Sequence, residues 1–250
     1  MSGELTSIQR KIAKYSRKPS TSGIVQSSLD IVFIFDTTGS MYRYLDKVRN
    51  ELARLASEVC KAILDVKIGV VAYGDYCDAN STYVTKVLDL TSDFQQVKSF
   101  ISQVERTGGG DTPEAVEEAL FDANTLAWRV GSKRAIVLVG DAPPHGVVDT
   151  APKRDYKAEG RSLSRKGIKI YATQCGRDSD AESAFRWLAS ETEGTYLSLE
   201  NIDDLVDLLI GVCMKEVGLL EAYADRLASQ NRLTGSKAKM LKQLKGSSNG

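Results

Sequence analysis

From Leu29 onward, apolar runs of strand length alternate with longer stretches in which apolar residues recur every three or four positions. A parallel sheet wrapped by crossover helices reads this way in sequence. The pattern predicts six strands, over Asp30 to Asp36, Val66 to Tyr73, Thr82 to Leu88, Arg134 to Gly140, Ile168 to Gln174 and Gly194 to Ser198. Helical spacing fills the gaps over Tyr42 to Leu64, Phe94 to Glu105, Pro113 to Trp128, Tyr156 to Lys166 and Ala181 to Glu191. Only a short loop with Gly74, Asp75 and Asn80 separates the second and third strands, which marks the third as an antiparallel edge. The expected fold is α/β: a doubly wound, mostly parallel, Rossmann-like six-stranded sheet with helices on both faces.

The flanks read differently. Glu4 to Ser16 place Ile8, Ile12 and Tyr15 at helical spacing, and Pro19 to Ser28 are rich in Pro, Ser, Thr and Gly, so residues 1–28 are expected to form a short helix and a linker. The α/β domain is expected over residues 29–215, and a C-terminal helical extension with a basic tail over 216–250. Leu205, Leu208, Val212, Leu219, Tyr223 and Leu227 run at roughly helical spacing, then comes a turn at Thr234-Gly235-Ser236 and the basic segment Lys237 to Lys245. Past Gly218 this stripe either offers a partner surface or folds back on its own domain.

Composition adds limits. The chain has 250 residues, 42% of them hydrophobic, enough to bury a core without help. Acidic and basic residues balance at 33 each, which points to no specific nucleic acid and no membrane partner. The cations crowd the ends: Arg10, Lys11, Lys14, Arg17 and Lys18 at the front, Arg232, Lys237, Lys239, Lys242 and Lys245 at the back. An acidic body therefore carries two basic ends, expected to be solvated tails ahead of a site for an acidic binding partner. Cys60, Cys77, Cys175 and Cys213 lie far apart without C-x-x-C spacing, so they are read as free thiols rather than a zinc ribbon or a disulfide framework. No apolar run reaches signal-peptide or membrane-span form, and a cytoplasmic, reducing location is the expectation.

The candidate chemistry sits where strands end. Ile31-Val32-Phe33-Ile34-Phe35 stops abruptly at Asp36-Thr37-Thr38-Gly39-Ser40, and ligands of open α/β sheets bind beyond the carboxyl ends of strands. A carboxylate with hydroxyls two and four residues on offers hard oxygen ligands. Such a set suits magnesium, with manganese or calcium as alternatives, and does not suit zinc. Thr112, just before Pro113 at a helix start, and Asp141, at the end of the fourth strand, fit the same site. Asp75, Asp78, Asp111 and His145 are expected on its rim, with His145 first of all a turn residue. The run Gly108-Gly109-Gly110 belongs to no phosphate-binding motif.

Asp36-x-Thr38-x-Ser40, then Thr112, then Asp141 resemble the metal-ion-dependent adhesion site of von Willebrand factor A domains, and the resemblance covers about residues 29 to 215. It implies that Thr38, Ser40 and Thr112 offer hydroxyl oxygens to a magnesium ion, that Asp36 and Asp141 act directly or through water, and that the open position takes a partner's Asp or Glu. The family's first motif is D-x-S-x-S; Thr38 keeps the hydroxyl and adds a methyl. The wording Tyr73-Gly74-Asp75-Tyr76 and Gly140-Asp141-Ala142-Pro143-Pro144-His145-Gly146 is most similar to intracellular A domains found beside kinases.

The expected function is therefore that of a metal-dependent protein-binding module and not an enzyme. Two alternatives remain: a magnesium-dependent hydrolase of phosphates or esters, with Asp75 or His145 as base, and a metal-independent scaffold assembling through the C-terminal helix.

Overall fold

In a computed structural model of the chain, residues 27–110 and 112–246 are described. The strands are β1 (Leu29–Asp36), β2 (Val66–Tyr73), β3 (Thr85–Thr91), β4 (Lys133–Gly140), β5 (Lys169–Cys175) and β6 (Thr195–Leu199). The helices are α1 (Tyr42–Ala62), α2 (Phe94–Gln103), α3 (Val116–Thr125), α4 (Tyr156–Arg165), α5 (Ser179–Glu191), α6 (Leu205–Glu216), α7 (Leu220–Ser229) and α8 (Gly235–Lys245), with 3-10 turns at Tyr76–Asn80 and Ile202–Asp204. The sheet order is β3-β2-β1-β4-β5-β6, parallel except for β3.

Every residue of β1 is buried because helices cover both faces of the sheet. Leu29, Ile31, Phe33 and Phe35 point into one core with α1, α2 and α6, while Val32 and Ile34 point into the other with α3, α4 and α5. From β1 the chain winds outward through β2 to β3, then returns to place β4 on the other side of β1. Phe35 stands beside Val139 in register, so the carboxyl ends of β1 and β4 adjoin where the strand order reverses. That crevice is where such sheets bind ligands.

Three departures from the expected elements have physical causes. The antiparallel strand starts at Thr85 rather than Thr82, because the amides of Ser81 and Thr82 bond to the Asp78 carbonyl and close the preceding turn. Helix α3 starts at Val116 rather than Pro113: the Glu114 amide donates to the Pro143 carbonyl and the Ala115 amide to the Gly74 carbonyl, so both are committed to neighbouring loops. The single C-terminal stripe is broken at Gly218, whose φ of 76° is cheap only for glycine. There the Leu219 amide reaches back to the Met214 carbonyl and ends α6 as a Schellman turn.

The C-terminal basic segment is not a solvated tail. Thr234 caps α8 by accepting from the Lys237 amide, and Met240, Leu241 and Leu244 are buried against the domain. Gly211 permits this approach, since a Cβ there would lie 3.0 Å from Leu244 Cδ1. Lys237 pairs with Asp207 at 2.6 Å and Lys245 with Glu221 at 2.6 Å, and Lys239 pairs with Glu200. The expected N-terminal helix and most of its linker lie outside the described residues. Among the described residues no helix is long and apolar enough to cross a membrane.

One glycine is demanded by close backbone approach. A Cβ at Gly194 would stand 1.9 Å from the Ile170 carbonyl oxygen, an impossible contact that only strand displacement relieves. Gly194→Ala is expected to lower stability by roughly 2–4 kcal/mol, the range for overpacking and strain at a special site, as read by denaturant unfolding.

Candidate metal centre

Asp36 ends β1 inside the crevice and is almost wholly buried, at 1% exposure. Its Oδ1 accepts from the Thr38 amide at 2.8 Å and from the Thr38 hydroxyl at 2.6 Å. Among the described residues its Oδ2 has no hydrogen-bond partner. Burial, which the two Thr38 bonds only partly offset, and the neighbouring Asp141 carboxylate push the Asp36 carboxyl up to about 7. Two acidic groups thus face each other in a buried place with one oxygen unmatched. A hard cation between them would relieve both burdens.

The other hydroxyls lie at the mouth. Ser40 and Thr112 are both exposed, and Asp141 is half-buried just past β4. The glycine loop brings the Thr112 segment close: a Cβ at Gly39 would be 3.7 Å from the Gly108 carbonyl, and one at Gly109 would be 3.2 Å from Thr38 Cβ. Asp36 thus touches Thr38 and neighbours Asp141, and the glycine loop that leads to Thr112 lies beside Thr38 and Gly39. Asp111 lies outside the described residues.

The rim residues have more structural tasks than the sequence indicated. The Asp78 carboxylate accepts from the amides of Gly108 at 2.9 Å and Gly109 at 3.1 Å, so it staples the glycine loop. Thr37 fastens the first turn, donating to the Tyr73 carbonyl at 2.7 Å and accepting the Thr107 amide at its own carbonyl at 3.0 Å. His145 Nε2 lies 2.6 Å from Asp75 Oδ1, and the His145 amide donates to Glu117 Oε2 at 3.0 Å. Burial alone would raise Asp75, but the bonds from His145, Tyr76 and Cys77 outweigh it and hold its carboxyl below the usual range.

Three buried polar groups escaped the sequence reading: Tyr73, Glu114 and Glu117, all within 5% exposure. Glu114 is pushed up to about 9 by burial and then by Asp36, Asp75, Asp141 and Asp78. Tyr73 is raised by burial and then by Asp36, Asp141 and Glu114. The signals available were slight: Tyr73 is the polar end of an apolar strand, and Glu114 reads as an ordinary first-turn helix acid.

Among the described residues no group of three or more His, Cys, Asp or Glu side chains is placed to hold a metal. Carboxylate and hydroxyl oxygens of this kind are the donors that magnesium prefers.

A doubly wound sheet with carboxylates at both switch-point strand ends, and a hydroxyl-bearing turn between them, defines a class of α/β binding domains. The chain belongs to the von Willebrand factor type A domain family, whose sequence profile matches residues 30–209. Domains of this family generally serve as protein-interaction modules. The chain is 29% identical over 120 residues to an alpha-protein kinase, vwkA, of Dictyostelium discoideum, covering 47% of this chain and 19% of the kinase. It is 33% identical over 124 residues to a putative ariadne-like RING finger protein of Acanthamoeba polyphaga mimivirus, covering 48% of this chain and 12% of that protein. The fold matches a von Willebrand factor type A structure from Catenulispora acidiphila with a TM-score of 0.57 at 17% identity, over 77% of this chain and 43% of the other. The matches to the two sequence relatives thus span less than a fifth of either.

Proposed function

We propose that the domain holds a divalent cation, magnesium foremost, among Asp36, Thr38, Ser40, Thr112 and Asp141, and uses it to grip an Asp or Glu of a partner protein. One observation carries the reading: the buried Asp36 carboxylate lies against Asp141, and its Oδ2 meets no hydrogen-bond donor among the described residues. Charges are retained in such places when they are paired or bind metal.

Each residue has a part suited to its chemistry. Thr38 turns its hydroxyl hydrogen toward Asp36 Oδ1, which leaves the oxygen lone pairs for a cation. Ser40 and Thr112 add neutral oxygens on the solvent side. Magnesium bound there would supply a Lewis-acidic point able to accept a partner's carboxylate. Because only two ligands are charged, that point keeps enough positive character to attract a third carboxylate. Both sequence relatives match about half of this chain within much longer chains, as a module for docking would be.

The test uses an array of peptides in which each Asp or Glu is matched by its Asn or Gln counterpart. Retention of the labelled protein is expected to require both magnesium and the carboxylate, and to vanish in EDTA. Retention indifferent to EDTA would contradict the reading, as would magnesium-dependent turnover of a generic phosphate ester.

A further inference from the structure

Asp36 Oδ2, Tyr73 Oη and Glu114 Oε2 are all buried, and among the described residues none has a hydrogen-bond partner. Buried polar groups are nearly always satisfied, so three orphans around one crevice ask for an occupant. Two glycines let these groups pack close to the turn. A Cβ at Gly140 would fall 2.3 Å from Tyr73 Oη and 3.7 Å from Asp36 Cβ; one at Gly109 would fall 2.7 Å from Glu114 Oε1 and 3.2 Å from Thr38 Cβ. The phenol and the second carboxylate therefore approach the Asp36–Thr38 turn only because no side chain stands between.

We infer that Tyr73 and Glu114 are positioning residues of this centre, holding water that a hydrated cation carries in, and that they thereby favour magnesium over calcium. The inference rests on the cation site proposed above. Water on a cation has its lone pair engaged and both hydrogens to give, so it needs acceptors. Glu114 Oε2 is one, and the lone pairs of Tyr73 Oη are another. Magnesium sheds water reluctantly, whereas calcium takes more oxygen ligands at flexible geometry, so a wall that holds water selects the smaller ion. Groups in this outer position typically contribute 10–100-fold to metal affinity.

Calorimetric titration of the whole chain with magnesium chloride and with calcium chloride, for the intact protein, Glu114→Gln and Tyr73→Phe, tests this. Each variant is expected to lose about tenfold in magnesium affinity while calcium affinity moves less than about twofold, with circular dichroism unchanged. Equal loss for both ions, no loss for either, or unfolding of both near-isosteric variants would assign these groups to structure and overturn the inference. An intact protein that binds no magnesium would instead overturn the cation site on which it stands.

Discussion

Asp36→Asn is expected to abolish the rise in melting temperature that magnesium gives the intact protein, while leaving the metal-free melting temperature unchanged or higher. Without a cation, Asp36 is a buried acid pressed against Asp141, with one oxygen unpaired. Asparagine keeps the oxygen that accepts from Thr38 and removes the charge that burial penalises. With a cation the balance reverses, since a ligand at a hundred times its dissociation constant stabilises the folded state by about 2.7 kcal/mol. For a chain of this size that corresponds to roughly 5–10 °C. Differential scanning fluorimetry in EDTA and in magnesium should show this shift for the intact protein and less than about 1 °C for the variant. A full shift in the variant would place the ion elsewhere.

Asp207→Ala is expected to be the most destabilising single change outside the sheet, at about 3–5 kcal/mol, because breaking a buried ion pair leaves its partners uncompensated. Asp207 is 1% exposed on α6. It accepts from Tyr223 Oη at 2.8 Å and pairs with Arg54 at 2.5 Å, Lys237 at 2.6 Å and Arg232 at 3.3 Å. One carboxylate thus ties α1, α7, α8 and the turn before α8 to α6. Burial raises its carboxyl, but Lys237, Arg54 and Tyr223 outweigh that and hold it below the usual range. A depressed folded value means that this contribution is complete above the ordinary carboxylate range and is lost as pH falls through the folded value. Denaturant unfolding between neutral pH and pH 2 should therefore show a steeper acid loss in the intact protein than in Asp207→Ala. Parallel acid profiles would contradict this account of the latch.

The sheet was legible because burial on both faces writes unbroken apolar strands, and Asp36 and Asp141 stood out as carboxylates interrupting such runs. The C-terminal latch was not legible. Lys237, Arg232 and Lys245 read as a surplus of charge in sequence, yet their partners Asp207 and Glu221 lie 24 to 30 residues away and are found only after α6 turns at Gly218. Likewise Tyr73 and Glu114 are unremarkable as letters. Their significance arises from missing hydrogen bonds, which depend on the tertiary position of Gly109 and Gly140. Asp78 was taken for a rim acid, but its carboxylate faces inward to the glycine amides. A pattern along the chain reports which face a residue occupies; it does not report which backbone amide that residue will meet.

The centre itself is tested most directly by diffraction from crystals soaked in manganese, read by its anomalous signal. One strong peak is expected in the crevice between β1 and β4, with Ser40, Thr112 and Thr38 oxygens within about 2–2.5 Å or bridged to it by water. A crevice with no peak, the Asp36 and Asp141 carboxylates turned apart and the hydroxyls facing solvent, would contradict it.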